Sequence, residues 1–169
     1  MAKQTIVLKN YQNVYEEFAA SATITPGELI EMTEGYNTVR AHSTEHGNVL
    51  PMFAVEDALQ GRGIDDDYSS GDKVRCWTPL RGDVVNAILE DGEAVSIGDF
   101  LESNGSGYLQ KLVDTEGSTA ASYDLIYSQP IVGIALENLD LSGSSGTGST
   151  HESSVGTLGY NKRLQVKII

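Results

Sequence analysis

Cysteine is almost absent from this chain. Cys76 stands alone, so no internal disulfide can form and no zinc site can be built on thiolates. Cationic side chains are also scarce, with 11 Lys and Arg against 24 Asp and Glu and a net charge of −13. That imbalance excludes a partner gripped through its phosphates, which needs clustered Lys and Arg, and it excludes docking on anionic lipid. No apolar run approaches the ~20 residues of a membrane-spanning helix. The first one, Ile6-Val7-Leu8, stops at Lys9 and is too short for a secretory signal, so composition predicts an acidic domain with no built-in address. Helical periodicity is poor: residues 14–20 and 54–60 offer a turn or two each and no long amphipathic stripe. No Gly-x-Ser-x-Gly elbow, phosphate loop or His-Glu-x-x-His order occurs, and no cofactor fingerprint is present.

What is plentiful is glycine, 18 residues in a chain of 169, a length that suits one domain with or without an arm. The glycines punctuate short apolar segments. Four times a glycine is followed by an acid and then by a strand-like run: Gly27-Glu28, Gly71-Asp72, Gly82-Asp83 and Gly98-Asp99. Pro26-Gly27 suits the centre of a type II turn, where proline presets φ and glycine takes φ > 0, and the other three glycines are expected in turns of the same kind. Period-two alternation marks strands at residues 73–78 and 163–168, and an apolar run marks a central strand at 131–136, in which Gly133 predicts a bulge or a close backbone approach. Further strands are expected at residues 28–33, 38–41, 51–55, 84–89 and 108–112. The fold expected is all-β, a compact β-barrel or β-sandwich body with very little helix.

Two segments stand apart. Residues 1–22 precede the first glycine turn and predict an extended N-terminal arm, with Tyr11, Val14, Tyr15 and Phe18 as its apolar contacts, leaving residues 23–169 as the body. Residues 142–157 are almost wholly Ser, Gly and Thr and predict a flexible loop on the periphery, since such a stretch buries too little apolar surface to offset its ordering entropy.

Candidate chemistry is thin. His42 and His46 are four apart, but Ser43, Thr44, Gly47 and Asn48 make their surroundings a polar loop and not a metal-binding helix face. Asp65-Asp66-Asp67 lacks the alternating ligands of a calcium loop and reads as a solvated turn relieved by Arg62 or Lys73. Cys76 lacks a base beside it and reads as a buried structural thiol. Arg81-Gly82-Asp83 spells an adhesion tripeptide, but it is one of the four glycine–acid turns. The expectation is therefore no catalytic residue, no metal and no cofactor.

The order of several segments carries a resemblance: residues 24–31 (ITPGELIE), 39–43 (VRAHS), 51–57 (PMFAVED), 61–68 (GRGIDDDY), 71–75 (GDKVR), 98–103 (GDFLES) and 134–137 (IALE), with the closing strand. In these the chain resembles the head decoration, or cement, proteins of tailed bacteriophages. The resemblance implies a β-tulip-like body and a structural, non-enzymatic role on the outer surface of the virion capsid. It implies the major capsid protein as partner, a homotrimer as assembly, stabilisation of the lattice by bridging neighbouring capsomers, and no direct contact with nucleic acid or membrane. The arm would then add to a sheet edge of the capsid protein. Two other readings stand beside it: a carbohydrate-binding or host-attachment β-module, and a small hydrolase pairing Ser43 or Cys76 with His42 or His46.

Overall fold

The computed structural model describes residues 5–10, 15–33, 35, 37–112, 130–143 and 163–169. The strands are β1 (Val7–Lys9), β2 (Tyr15–Ala20), β3 (Ile30–Met32), β4 (Thr38–Ala41), β5 (Phe53–Val55), β6 (Lys73–Trp77), β7 (Val84–Ile88), β8 (Ala94–Val95), β9 (Phe100–Ser103), β10 (Leu109–Lys111), β11 (Ile131–Ala135), β12 (Leu139–Asp140) and β13 (Arg163–Ile168). Among the described residues the only helical element is a single 3-10 turn, Ala58–Gln60. The fold is all-β.

The first sheet has the order β3-β4-β2-β6-β5, and β2 and β4 run parallel within it. Its ends meet. The Gly27 N–H donates to Ala54 O at 2.8 Å, the Ala54 N–H to Glu28 O at 3.1 Å and the Ile30 N–H to Met52 O at 2.9 Å, so the sheet closes into a small barrel. Its interior holds Ala20, Ile24, Ile30, Val39, Met52, Ala54, Tyr68, Val74 and Cys76. Small residues at Ala20, Ala54 and Cys76 leave room for the one large ring, Tyr68, whose hydroxyl donates to Val55 O at 2.7 Å. A buried phenol needs such a partner.

The second sheet is antiparallel, in the order β1-β7-β13-β11-β9-β10. Its last strand swings round to the chain beyond β7, where Glu90 N–H donates to Leu109 O at 2.8 Å. The two-stranded pair β8 and β12 adds Val95 and, just past β12, Leu141 to its core. This larger core also receives Leu29, Phe53, Val55 and Trp77 from the outside of the barrel. Strands β5 and β6 thus serve two cores by simple alternation. Ala54, Val74 and Cys76 face the barrel interior, while Phe53, Val55 and Trp77 face the second sheet. The period-two pattern of residues 73–78 holds, and Trp77 shows that its second face is buried as well.

The expected arm is corrected by these pairings. Ile6 is wholly buried; its N–H and the Thr5 hydroxyl both donate to the Glu56 carboxylate, and its carbonyl accepts the Asn86 N–H at 2.7 Å. Strand β1 then pairs with β7, and β2 is an interior strand of the barrel between β4 and β6. Residues 5–10 and 15–22 belong to the body because their apolar side chains supply both cores. The helical turn entertained for residues 14–20 is corrected, since β2 takes Tyr15–Ala20; that for 54–60 is present as the single 3-10 turn Ala58–Gln60, after β5 ends at Val55. The Ser/Gly loop expected at 142–157 lies outside the described residues beyond its first turn at Ser142 and Gly143.

Two interactions fix distant parts of the chain. Strand β11 carries a bulge between Ile131 and Gly133, and the Gly133 backbone lies so close to β13 that an added Cβ would stand 2.6 Å from both Lys167 O and Val166 Cγ1. The Arg163 guanidinium is buried and donates to Pro26 O at 3.1 Å, to Ile64 O at 2.5 Å and to Asp65 Oδ1 at 3.1 Å. It joins the first glycine turn, the 62–67 loop and the closing strand.

Two outcomes follow for stability. Gly133→Ala should lower it by about 1–3 kcal/mol through overpacking, read as the denaturant midpoint. Arg163→Met should lower it by about 3–5 kcal/mol, since it strands two buried carbonyls and a carboxylate, whereas Asp65→Asn should have a smaller effect because that carboxylate is partly solvated. Equal effects of the two would show that the guanidinium's carbonyl contacts contribute nothing.

Candidate functional site

The glycine–acid turns share one construction. Gly27, Gly71, Gly82 and Gly98 have φ of 98°, 90°, 96° and 95°. In each, the acid's N–H donates to the carbonyl three residues back: Glu28 to Thr25, Asp72 to Ser69, Asp83 to Leu80 and Asp99 to Ser96. For the three aspartates the carboxylate then accepts the N–H of that same residue, at 3.0 Å from Ser69, 2.8 Å from Leu80 and 2.9 Å from Ser96. The acid clamps the turn from both sides, and this explains why glycine and acid recur together at strand entrances. Gly92-Glu93 makes a further turn of this outline with φ of 90°; the same dipeptide signal marks it in the sequence.

Environment separates these acids. Asp72 and Asp99 lie at the surface, and their carboxyls are held below the usual range: Asp72 by the Ser69 N–H and then Arg62, Asp99 by Lys111 and then the Ser96 N–H. Glu28 is buried, and its Oε2 has no hydrogen-bond partner among the described residues. Burial pushes its carboxyl up to about 7, with Asp67 adding to the rise and the Thr25 N–H and Arg163 opposing it. Asp83 is also buried and committed to its turn, so the adhesion tripeptide offers no free carboxylate.

Of the chemical candidates, His42 and Ser43 both meet Glu31, at 3.8 and 2.7 Å, but neither Ser43 nor Cys76 is hydrogen-bonded to His42 or His46. The Cys76 thiol lies inside the barrel, where burial pushes it up to about 12, far from thiolate chemistry. His42 is buried, with Nδ1 2.7 Å from Ser103 Oγ and Nε2 3.3 Å from Asn48 O. The Ser43 hydroxyl donates to Glu31 at 2.7 Å. His46, at φ 55°, places Nδ1 2.8 Å from the buried Glu102 carboxylate, which also accepts from Gln110 at 3.4 Å. These polar groups tie the 42–48 loop to β9 and β10. Among the described residues no group of three His, Cys, Asp or Glu could hold a metal ion. The Asp65–Asp67 run is relieved by Arg163 rather than by Arg62 or Lys73: Asp65 pairs with Arg163, Asp66 accepts the Gly63 N–H, and Arg62 is engaged with Asp72.

The four contact residues assigned to the arm fare differently. Tyr11 and Val14 lie outside the described residues. Tyr15 packs on the larger core beneath the Arg75 guanidinium, 4.4 Å from its ring centre, and Phe18 packs on the barrel core. Side chains three apart on one strand face opposite ways, so these two cannot form one contact surface.

Exposed apolar side chains gather elsewhere. On the outer face of the second sheet Phe100 lies opposite Ile134 in register, with Phe100 44% exposed. Ile97, 65% exposed, sits in the turn that enters β9, and Leu136, 37% exposed, follows β11. The Gly98 N–H donates to Ala135 O at 2.9 Å and the Ile97 N–H to Asn138 Oδ1 at 2.9 Å, which brings the two segments together. Sequence reasoning missed this patch because its members belong to separate strands and turns.

The Glu28 carboxyl gives a pH signature. Below about pH 4.5 it is protonated folded and unfolded, and its contribution is fully present; as pH rises toward 7 the unfolded chain ionises first and stability falls. Glu28→Gln should match the parent below pH 4.5 and exceed it above pH 7, by a margin of order 3 kcal/mol, in thermal melts at both pH values. A variant less stable than the parent at pH 8 would show that the carboxylate is accommodated as a charge.

No family model matches the chain, and no curated protein matches it. Among solved structures the chain is similar to the N base of head fiber gp8.5 in bacteriophage phi29. The TM-score is 0.52 at 13% sequence identity, over 94% of this chain and 95% of that one. At this identity the likeness is one of fold, and it extends along nearly the whole of both chains.

Proposed function

We propose that this chain is a non-enzymatic structural protein of a tailed-phage head. It binds the outer surface of the capsid as a homotrimer and stabilises the lattice by bridging neighbouring major capsid proteins. The observation that carries the reading is the likeness, over 94% of this chain and 95% of that one, to a phage head fiber base. A shared fold does not by itself transfer a role. Here it meets a chain whose sequence resembles head decoration proteins and whose candidate nucleophiles are buried or bound into structural hydrogen bonds. The surplus of acids supports solubility at the high local concentration of a virion surface and disfavours contact with packaged nucleic acid.

The carbohydrate-binding alternative depends on exposed aromatic rings. Among the described residues Phe100 is the one exposed aromatic, while Trp77, Tyr68 and Phe53 are buried. No observation favours that alternative.

The test is co-sedimentation of the purified chain with expanded heads, and separately with unexpanded proheads, of the phage that encodes it. The expected result is saturable binding to expanded heads at a fixed ratio to capsid protein, weak binding to proheads, and a higher rupture temperature for decorated heads. Absence of binding to either particle, or saturation without any gain in head stability, would overturn the reading.

A further inference from the structure

We propose that the turn-rich end of the second sheet, centred on Ile97, Phe100 and Leu136, is the face that docks on the capsid, and that it fits an apolar, basic-rimmed patch of the shell protein. This rests on the head-protein reading above.

Phe100 and Ile134 are cross-strand neighbours on the outer face, and Ile97 and Leu136 flank them at 65% and 37% exposure. Single exposed apolar side chains are ordinary on a soluble protein, but clustered ones with an aromatic at the centre have the make-up of an interface core. Their mounting is stiff. Ile97 sits in the Ser96–Asp99 turn, closed by the Asp99 N–H to Ser96 O and by the Asp99 carboxylate on the Ser96 N–H, with Lys111 bound to that carboxylate at 2.8 Å. A side chain presented on a preformed turn loses little freedom on binding.

The rim then selects the partner. Residues 90–99 and 136–140 contain six acids, Glu90, Asp91, Glu93, Asp99, Glu137 and Asp140, against two cations beside the patch, Lys111 on Asp99 and Lys167 opposite Ile134 in register. The backbone gathers them at one end. Leu139 and Asp140 pair with Val95 and Ala94, and the Leu141 N–H donates to Glu93 O at 2.7 Å. A second copy of this chain would set one acidic rim against another, and like charges across an interface oppose association. An anionic lipid or nucleic acid is disfavoured for the same reason. A basic rim on the shell protein relieves the repulsion, speeds encounter and fixes orientation, while the apolar centre supplies the affinity.

The test compares three proteins by titration onto expanded heads: the parent, Ile97→Ser with Phe100→Ser, and Glu90→Gln with Glu93→Gln and Asp140→Asn. Thermal melts confirm that each is folded; every substituted side chain lies at least partly at the surface. The apolar variant should bind at least about tenfold more weakly. The rim variant should bind several-fold more weakly and lose much of the parent's dependence on salt. If the parent binds heads and both variants bind as it does, the docking face is elsewhere, and this proposal falls while the head-protein reading stands. If the apolar variant binds heads normally but abolishes self-association of the parent, the patch is a contact between copies and the proposal is likewise overturned. If the parent binds no head, both fall together.

Discussion

One guanidinium holds the fold's two ends to its middle. Arg163 opens the last strand, yet its donors reach carbonyls in the first glycine turn and the 62–67 loop, separated from it by 137 and 99 residues. Burying that charge is expensive, and burial pulls its pKa down even with Asp65 beside it. It persists because each donor named meets an oxygen whose own burial would otherwise be uncompensated. The same corner houses Glu28, which Arg163 draws toward ionisation and which burial and Asp67 hold protonated. The corner therefore joins three chain segments that share no sequence proximity.

Around that corner the two sheets divide the apolar residues without a spacer between them. Trp77 lies at the end of β6 with no exposed surface, packed into the larger core, while Cys76 beside it belongs to the barrel. Truncating a ring of that size would cost about 3–5 kcal/mol, a large share of the 5–15 kcal/mol that separates folded from unfolded states. A second junction ties the sheets through the backbone. Leu29 N–H donates to Gly107 O, Gly107 N–H to His42 O, and His42 N–H to Leu29 O, at 2.8, 3.1 and 2.9 Å. His42, which the sequence offers beside His46 in a polar loop, thus works as a backbone joint with its ring held among Ser103, Asn48 and Glu31.

Much of the local structure was legible in the sequence, because strands and turns are written in short-range patterns. Alternation at residues 163–168 marks β13, the Thr38–Ala41 strand has the limits expected of it, and Gly133 sits at the bulge. The glycine–acid turns were legible for a chemical reason, since a φ near +90° and a carboxylate able to reach back three residues need those two side chains in that order. Long-range partnership was not legible. Residues 1–22 look like an arm because no turn ties them to their neighbours, and the partners of β1 in β7 and of β2 in β6 are far along the chain. Arg163 reads as one more polar residue of an alternating strand until the Pro26 and Ile64 carbonyls are seen around it. The apolar patch was hidden in the same way, assembled from β9, β11 and the turns beside them.

Closure of the sheets also bears on how this protein can bind anything. An open strand edge invites pairing with another chain, and an arm that adds a strand to a partner is one expectation for a capsid-bound protein. In the first sheet β3 and the chain beside β5 are bonded to one another, and β2 is flanked on both sides by β4 and β6. In the second sheet β10 is met by the chain after β7, and the remaining edge strand, β1, is three residues long. Among the described residues, backbone pairing in the two larger sheets is therefore largely used up within the fold, and the β8–β12 pair is only two residues long on each strand. Apolar side chains on clamped turns of a stiff surface can meet a partner at little entropic loss. Under the proposed head-protein reading, closed sheets and carboxylate-clamped turns favour recognition through side chains of the outer face around Phe100 over pairing at strand edges.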